Sequence, residues 1–312
     1  MNAQATDIFP RRLKQARLMR GFSLEKLAQS LAAPISRQAI NKYEKGQMKP
    51  DSTVLIALAN ALGMKIDYFF RPFTVEVDKV EFRKKSGFTE KMAQAVKERV
   101  REELERYLEI EQIAGAKVRF TLPRKEVRTL EDAKEFAGEI RQILSLGSDG
   151  ISNVIEVLED NGVKVIELSE NEGFDGLSGF ANEEIPLIVV NGNFPTERKR
   201  FTALHELGHL LLDIPSEVSP KEVEGLCNAF ASEMLLPAVV LKSKLGNTRH
   251  DISLSELTDI QRQFGISVDD IMSSLQELGV ISDNRYSVFQ KKKSSMADFR
   301  ALVEQSRVEL EK

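Results

Sequence analysis

The sequence predicts a mainly α, α+β protein: an all-helical N-terminal domain, a body whose small sheet precedes a helix bearing two histidines, and a C-terminal helical extension. Three observations carry this. Residues 8–70 divide into five short apolar-striped segments punctuated by serine, glycine and proline. Aliphatic runs at Val163–Leu168 and Ile185–Val190 are short, strand-like and bounded by Asn-Gly turns. Phe201–Leu212 sets Phe201, Leu204, Leu207 and Leu211 at helical spacing, with His205 and His209 four apart.

The bulk properties bound the rest. A chain of 312 residues with 42% hydrophobic and 29% charged residues is globular and holds more than one domain. Its single cysteine excludes an internal disulfide and fits a reducing compartment. There is no apolar signal core, and the longest aliphatic run is far too short for a bilayer. The expectation is a cytoplasmic protein, bacterial or archaeal and at the nucleoid, with no membrane partner. The net charge of −4 hides +7 in residues 1–72 against −11 in the remainder. A basic head on an acidic body points to a polyanion partner for the head alone.

In the head (1–72), Pro10–Arg20 reads as a first helix, and Gly21-Phe22-Ser23 breaks it and caps a second at Leu24–Leu31. After the turn Ala32–Ile35, Ser36 caps Arg37–Glu44. A fourth helix, Ser52–Leu62, ends at Gly63, and Ile66–Phe70 is a short fifth. Arg12-Leu13-Lys14-x-x-Arg17, Ser23-Leu24-x-x-Leu27-Ala28, Ser36-Arg37-Gln38-Ala39-Ile40-x-x-Tyr43-Glu44-x-Gly46 and Ala57-Leu58-Ala59…Leu62-Gly63 make this stretch resemble the helix-turn-helix domain of the XRE (Cro and lambda-repressor) family. The resemblance implies that the Ser36–Glu44 helix enters the major groove of double-stranded operator DNA. Ser36, Arg37, Gln38, Asn41 and Lys42 would meet bases and phosphates, while Ala39, Ile40 and Tyr43 face the core. The positive charge favours DNA over a protein-binding use of the same fold.

Residues 73–126 read as a linker followed by a long helix. Val75, Val77 and Val80 alternate, and Phe82–Gly87 is a basic run. Thr89 then caps a helix to about Ala114, striped by Met92, Val96, Val100, Leu104, Tyr107 and Leu108. That stripe either docks on the same chain or pairs with a second copy, so a homodimer stays open.

Within 127–250, Thr129-Leu130-Glu131-Asp132 opens a helix to about Leu146, and Asp149 opens another from Ile151 to Asn161-Gly162. Val163–Leu168 is a strand, Asp175–Gly179 a turn, Phe180-Ala181 the start of a second strand and Ile185–Val190 a third. Thr196 caps the histidine helix. Ile188, Val189, Val190 and Asn191 form the expected edge that would hold a substrate backbone by strand addition.

His-Glu-x-x-His on a helix aims His205 and His209 at one point. Glu206 stands where a carboxylate takes a proton from water, the arrangement of a zinc hydrolase. Such a site needs a third protein ligand. Glu224 lies four residues from Asn228 on a second helix, so Glu224 could bind while Asn228 steadies it or a histidine; Glu222 is the alternative. Cys227 reads as a small buried apolar residue rather than a switch on the metal. His205-Glu206-Leu207-Gly208-His209, with Glu224-x-x-Cys227-Asn228-x-Phe230-Ala231-x-x-Leu235-Leu236-x-Pro237 and Asp175–Gly179, resembles the ImmA/IrrE metallopeptidase family across roughly 127–290. The resemblance implies a zincin-like fold, Zn2+ on His205, His209 and Glu224, and Glu206 as general base. The implied protein substrate is a repressor or antitoxin. His250 and Tyr286 are the downstream candidates for stabilising an oxyanion.

In 251–312, Leu254–Ile281 has a second helix-turn-helix-like pattern. Asp269 and Asp270 begin what would be its reading helix, where phosphates would repel them, so it reads as a structural or protein-binding extension. Lys291-Lys292-Lys293 precedes a charged terminal helix read as a solvated tail. The function expected is a DNA-binding regulator whose zinc endopeptidase cleaves a partner repressor or antitoxin, or itself, in a stress or mobile-element response. Its rival is a transcription factor or antitoxin whose peptidase fold is inert and serves sensing or partner binding.

Overall fold

Side-chain caps set most helix boundaries in a computed structural model that describes residues 8–32, 34–77, 89–169, 174–297 and 299. The chain forms two compact units: Met1–Lys117 with Ala181–Glu183, and Val118–Phe180 with Glu184–Lys312.

In the first unit α1 (Ile8–Met19), α2 (Leu24–Ser30), α3 (Arg37–Glu44) and α4 (Ser52–Leu62) are followed by a 3-10 turn at Ile66–Phe70 and by α5 (Glu90–Ala114). The side chains of Ser23, Ser36, Asp51 and Thr89 each accept from the amide three residues on, satisfying donors that a helix start leaves open. Gly63 ends α4 at φ +65°, a conformation that favours glycine, and the Arg20 guanidinium packs over it. Leu13, Leu27, Ile40, Leu58, Leu62 and Phe69 close the core.

The long helix docks on its own chain: α5 packs along α1 through buried Ala93, Val96, Val100 and Leu104. An ionic cluster reinforces the contact. Fully buried Arg12 places Nη2 2.8 Å from Glu105 Oε2 and Nη1 3.5 Å from Glu102 Oε2, and donates to the carbonyls of Arg71 and Pro72. Val75 and Val77 are buried without forming a strand. Val80 and the Phe82–Gly87 run lie outside the described residues.

The second unit begins with β1 (Lys125–Glu126), α6 (Leu130–Ile143), α7 (Val154–Asp160), β2 (Lys164–Leu168), β3 (Gly176–Ala181) and β4 (Ile185–Asn191). The Asp175–Gly179 segment is therefore mostly strand rather than turn. The turn falls instead at Asn182 and Glu183, both with positive φ. In the three-stranded sheet, order β2-β4-β3, β2 and β4 are parallel, with Lys164 opposite Leu187 and Leu168 opposite Asn191. This corrects the expected edge. Ile188, Val189 and Val190 are fully buried in the central strand, and β2 and β3 are the edge strands that flank it.

The chain then forms α8 (Thr196–Leu211), β5 (Leu212–Asp213), α9 (Pro220–Leu235), α10 (Ala238–Leu245), α11 (Leu254–Phe264), α12 (Val268–Glu277) and α13 (Asp283–Ser295). β5 pairs with β1 in a short parallel ladder. Pro195, not Thr196, is the residue before α8, and no side chain caps that end; Thr196 already lies inside the helix. α8 packs against β4 on one side and α9 on the other. Leu204, Leu207, Leu211, Leu226 and Phe230 are buried between them, each contributing about 1.5–3 kcal/mol by leaving water.

Two buried arginines explain why α7 starts later than Ile151. Arg141 donates to the carbonyls of Gly147 and Asp149, and Arg200 to those of Ile151 and Ser152. Carbonyls held this way hold the 147–152 segment as a loop, and Asn153 caps α7 instead. α6 likewise stops at Ile143, with Ser145 at φ 55°.

In the extension, Ile271, Met272 and Leu275 bury one face of α12. The Asp270 amide donates to the Ser267 hydroxyl, which donates in turn to the Asp270 carboxylate, and Asp269 pairs with Lys293 of α13. The three lysines at 291–293 thus lie within α13; residues 300–312 lie outside the described residues. No single helix among the described residues is long and apolar enough to cross a membrane.

Candidate metal centre and DNA-facing helix

Gly208 lies where α8 packs on α9, and a Cβ there would meet Cys227 Cα, Cys227 Cβ and Phe230 Cδ1 in van der Waals contact at 3.4 Å. The close approach brings the 224–228 turn of α9 opposite the 205–209 turn of α8. His205 Nε2 and His209 Nε2 are 3.0 Å apart. Glu224 places Oε2 3.3 Å from His205 Nε2 and Oε1 3.8 Å from His209 Nε2. The three donor atoms all lie within 4.8 Å of one another. A tetrahedral zinc with bonds of about 2.0–2.1 Å separates its ligand atoms by roughly 3.4 Å, so two imidazoles and a carboxylate at these separations fit the ion.

Each histidine is held from behind. His205 Nδ1 lies 2.8 Å from Asn228 Oδ1, and His209 Nδ1 lies 3.0 Å from Cys227 Sγ. For Nε2 to offer a lone pair, Nδ1 must carry the proton, and each Nδ1–H then donates to its partner on α9. Glu222 is occupied elsewhere: its carboxylate accepts from the Ser219 amide and hydroxyl in a capping box, which also lowers its pKa. Glu224 therefore faces the histidines, and Glu222 faces the helix start.

Glu206 is 4% exposed. Ser178 Oγ, on β3, donates to its Oε2 at 2.6 Å. Gly176 lets β3 come this close, since a Cβ there would stand 2.6 Å from Thr202 Cγ2 and 3.2 Å from Glu206 Oε1. Asn191 is 2% exposed; its side chain donates to the Phe174 carbonyl at 2.7 Å and accepts from the Asn193 amide at 3.0 Å. It shapes the turn after β4. His250 is exposed before α11, and the Tyr286 hydroxyl, on α13, accepts from Gln290 at 3.1 Å. Neither has a hydrogen bond to the His205–Glu206–His209–Glu224 group.

In the first unit, Arg37, Gln38 and Lys42 project from α3 into solvent and Asn41 is half-exposed, while Ile40 and Tyr43 are buried. Ser36 is exposed, but its hydroxyl accepts from the Ala39 amide at 3.2 Å. The end of α3 is fixed to α1 by a two-pronged pair, Arg17 Nε and Nη2 to the Glu44 carboxylate at 2.6 and 2.8 Å. Arg17 also donates to the Phe22 carbonyl, tying the turn before α2.

Family comparison agrees with this division. A helix-turn-helix model matches residues 13–69, and a model described as the IrrE N-terminal-like domain matches residues 158–271. The chain joins an XRE-type helix-turn-helix domain to an IrrE-like domain. The helix-turn-helix end is similar to the SPbeta prophage-derived uncharacterized HTH-type transcriptional regulator YonR of Bacillus subtilis, at 35% identity over 71 residues, covering 23% of this chain and 64% of that protein. The other part is similar to the radiation response metalloprotease IrrE of Deinococcus deserti, at 29% identity over 111 residues, covering 32% of this chain and 39% of that protein. The chain thus spans less than two thirds of the length of either relative.

The IrrE-like domain contains two side chains at its centre that sequence reasoning did not assign. Ser178 sits 28 residues before Glu206, and nothing in the Gly-rich stretch around it marks its hydroxyl as a partner of that carboxylate. Cys227 carried a signal, its place one turn after Glu224 and beside Asn228, but helical spacing alone points it at the core as readily as at His209.

Proposed function

We propose that this chain is an operator-binding regulator whose IrrE-like domain is a zinc endopeptidase acting on a protein substrate, a repressor or antitoxin, or on the chain itself. The observation that supports it is the convergence of His205, His209 and Glu224 beside buried Glu206, in a chain that also carries a basic helix-turn-helix domain. Zinc, when held there, supplies a Lewis acid that polarises the scissile carbonyl and makes water acidic enough to lose a proton near neutral pH. Glu206 takes that proton and returns it to the leaving amine. Ser178 donates to one oxygen of Glu206 and so orients the carboxylate for the transfer. β3, an edge strand of the sheet, runs beside Glu206 and would offer the substrate backbone a strand to pair with. Arg37, Gln38, Asn41 and Lys42 bring the enzyme to its operator, with Ser36 ordering the helix start.

The test uses cells in which the wild-type chain is replaced by Glu206→Gln. The expected result is that, under at least one stress, a DNA-binding protein or the chain itself is cleaved with the wild type and persists with the variant, together with a change in promoter output. Identical protein levels and promoter output in both strains across inducing stresses overturn the peptidase reading and leave a regulator with an inert fold.

A further inference from the structure

One turn of α9 serves every ligand of the centre. Glu224 faces both histidines, Asn228 backs His205, and Cys227 backs His209. The two backing residues differ in kind. Asn228 is exposed, whereas Cys227 is fully buried, packed where α8 and α9 approach over Gly208. Asn228 lies against His205, while Cys227 Sγ stands 3.0 Å from His209 Nδ1, the ring nitrogen away from Glu224. A thiol in a purely apolar role has no need of that direction, since the core around it offers Leu226, Phe230 and Ala231 as neighbours along the same helix.

We propose that Cys227 is the positioning residue for His209: its sulfur accepts the Nδ1–H, holds the ring with Nε2 toward Glu224 and His205, and so raises the affinity of the centre for zinc. This rests on the metal-site reading above and deepens it. Partners behind metal-bound histidines contribute about ten- to hundredfold in metal affinity; sulfur is a weak acceptor, which places the expectation at the lower end, about tenfold.

The experiment measures the zinc dissociation constant of the full chain by competition with a chromogenic chelator, for wild type, Cys227→Ala and Cys227→Ser, with the melting temperature of each metal-free protein recorded alongside. The expected result is about tenfold weaker zinc binding in Cys227→Ala and recovery of most of that loss in Cys227→Ser, whose hydroxyl accepts the same N–H. Unchanged affinity in Cys227→Ala overturns the proposal. So does equal weakening in both variants, which would make packing volume the cause. Were Cys227→Ala to unfold, Cys227→Ser decides alone: near wild-type affinity supports the role, and a loss of tenfold or more overturns it. No zinc bound by the wild type overturns the metal-site reading itself, a result distinct from a normal wild type with indifferent variants.

Discussion

Ser178 Oγ donates to Glu206 Oε2 at 2.6 Å, joining the edge strand of the sheet to the carboxylate that follows the first histidine. The bond orients a buried acid that, on the peptidase reading, takes up a proton. A hydrogen bond to a charged group contributes about 1.5–3 kcal/mol, or roughly ten- to hundredfold when the group acts in the rate-limiting step. Ser178→Ala is expected to lower the cleavage rate by that factor while zinc content stays at the wild-type level. A variant that cleaves at the wild-type rate would show that the bond only packs β3 against α8.

On the operator-binding reading, the exposed surface of α3 would make two kinds of DNA contact. Arg37 and Gln38 stand at its exposed start, where they would read bases, and Lys42 is exposed one turn on, where it would meet the DNA backbone. Arg37→Ala is expected to cost about 1–3 kcal/mol on duplexes selected from a random pool and to relax the base preference at one position. Lys42→Ala is expected to weaken all sequences alike and reduce the salt slope of binding by about one. Fluorescence anisotropy across a salt series measures both, and identical behaviour of the two variants would contradict this division.

Carboxylates in the second unit pull its pH dependence in opposite directions. Backbone hydrogen bonds from Arg128 and Thr129 hold Asp132 below its ordinary 3.8, and those from Ser253 hold Glu256 below 4.5. Their folded pKa values are depressed, so their contribution is complete above pH 4.5 and is lost as pH falls through the folded values. Burial raises Asp270, whose contribution is complete below 3.8 and is lost as pH rises through its folded value. Urea denaturation from pH 3 to 7 is expected to show a shallower acid limb for the double variant Asp132→Asn, Glu256→Gln than for wild type. Asp270→Asn is expected to be harmless or stabilising at pH 7. An unchanged acid limb in the double variant would assign acid sensitivity to other groups.

Local chemistry was legible in the sequence, and pairing across the chain was not. Ser36, Thr89 and Thr129 announce their helices because a cap is a three-residue event. That His205, His209 and Glu224 come together was legible from helical spacing and motif. The strand order was lost because a short aliphatic run is scored as a strand wherever it sits. Leu187–Val190 nonetheless carried a usable sign: continuous rather than alternating apolar residues mark a strand covered on both faces, hence a central one. The late start of α7 was invisible, since it depends on arginines at 141 and 200 reaching back to the loop's carbonyls. Cys227 and Ser178 were missed for the same reason, their partners lying 18 and 28 residues away.

Arg200 gives that long-range chemistry a measurable cost. It lies on α8 five residues before His205, is fully buried, and donates to carbonyls of Ile151, Ser152 and Phe264 at 2.6, 3.3 and 3.4 Å. One guanidinium thus ties the metal helix to the loop before α7 and to the end of α11. Gly265 makes room for it, because a Cβ there would stand 2.6 Å from Arg200 Nε. Arg200→Met keeps most of the stem's packing but leaves buried carbonyls without their donor, at about 1–3 kcal/mol for each one that water cannot reach. The expected loss is about 3 kcal/mol in urea denaturation of the full chain, accompanied by earlier amide exchange at 151–153 and 264–266. Arg200→Lys is expected to recover only part of it, since an ammonium cannot span three carbonyls in the plane of a guanidinium. A methionine variant as stable as the wild type would mean that water satisfies these carbonyls and that α11 is held by its apolar face alone.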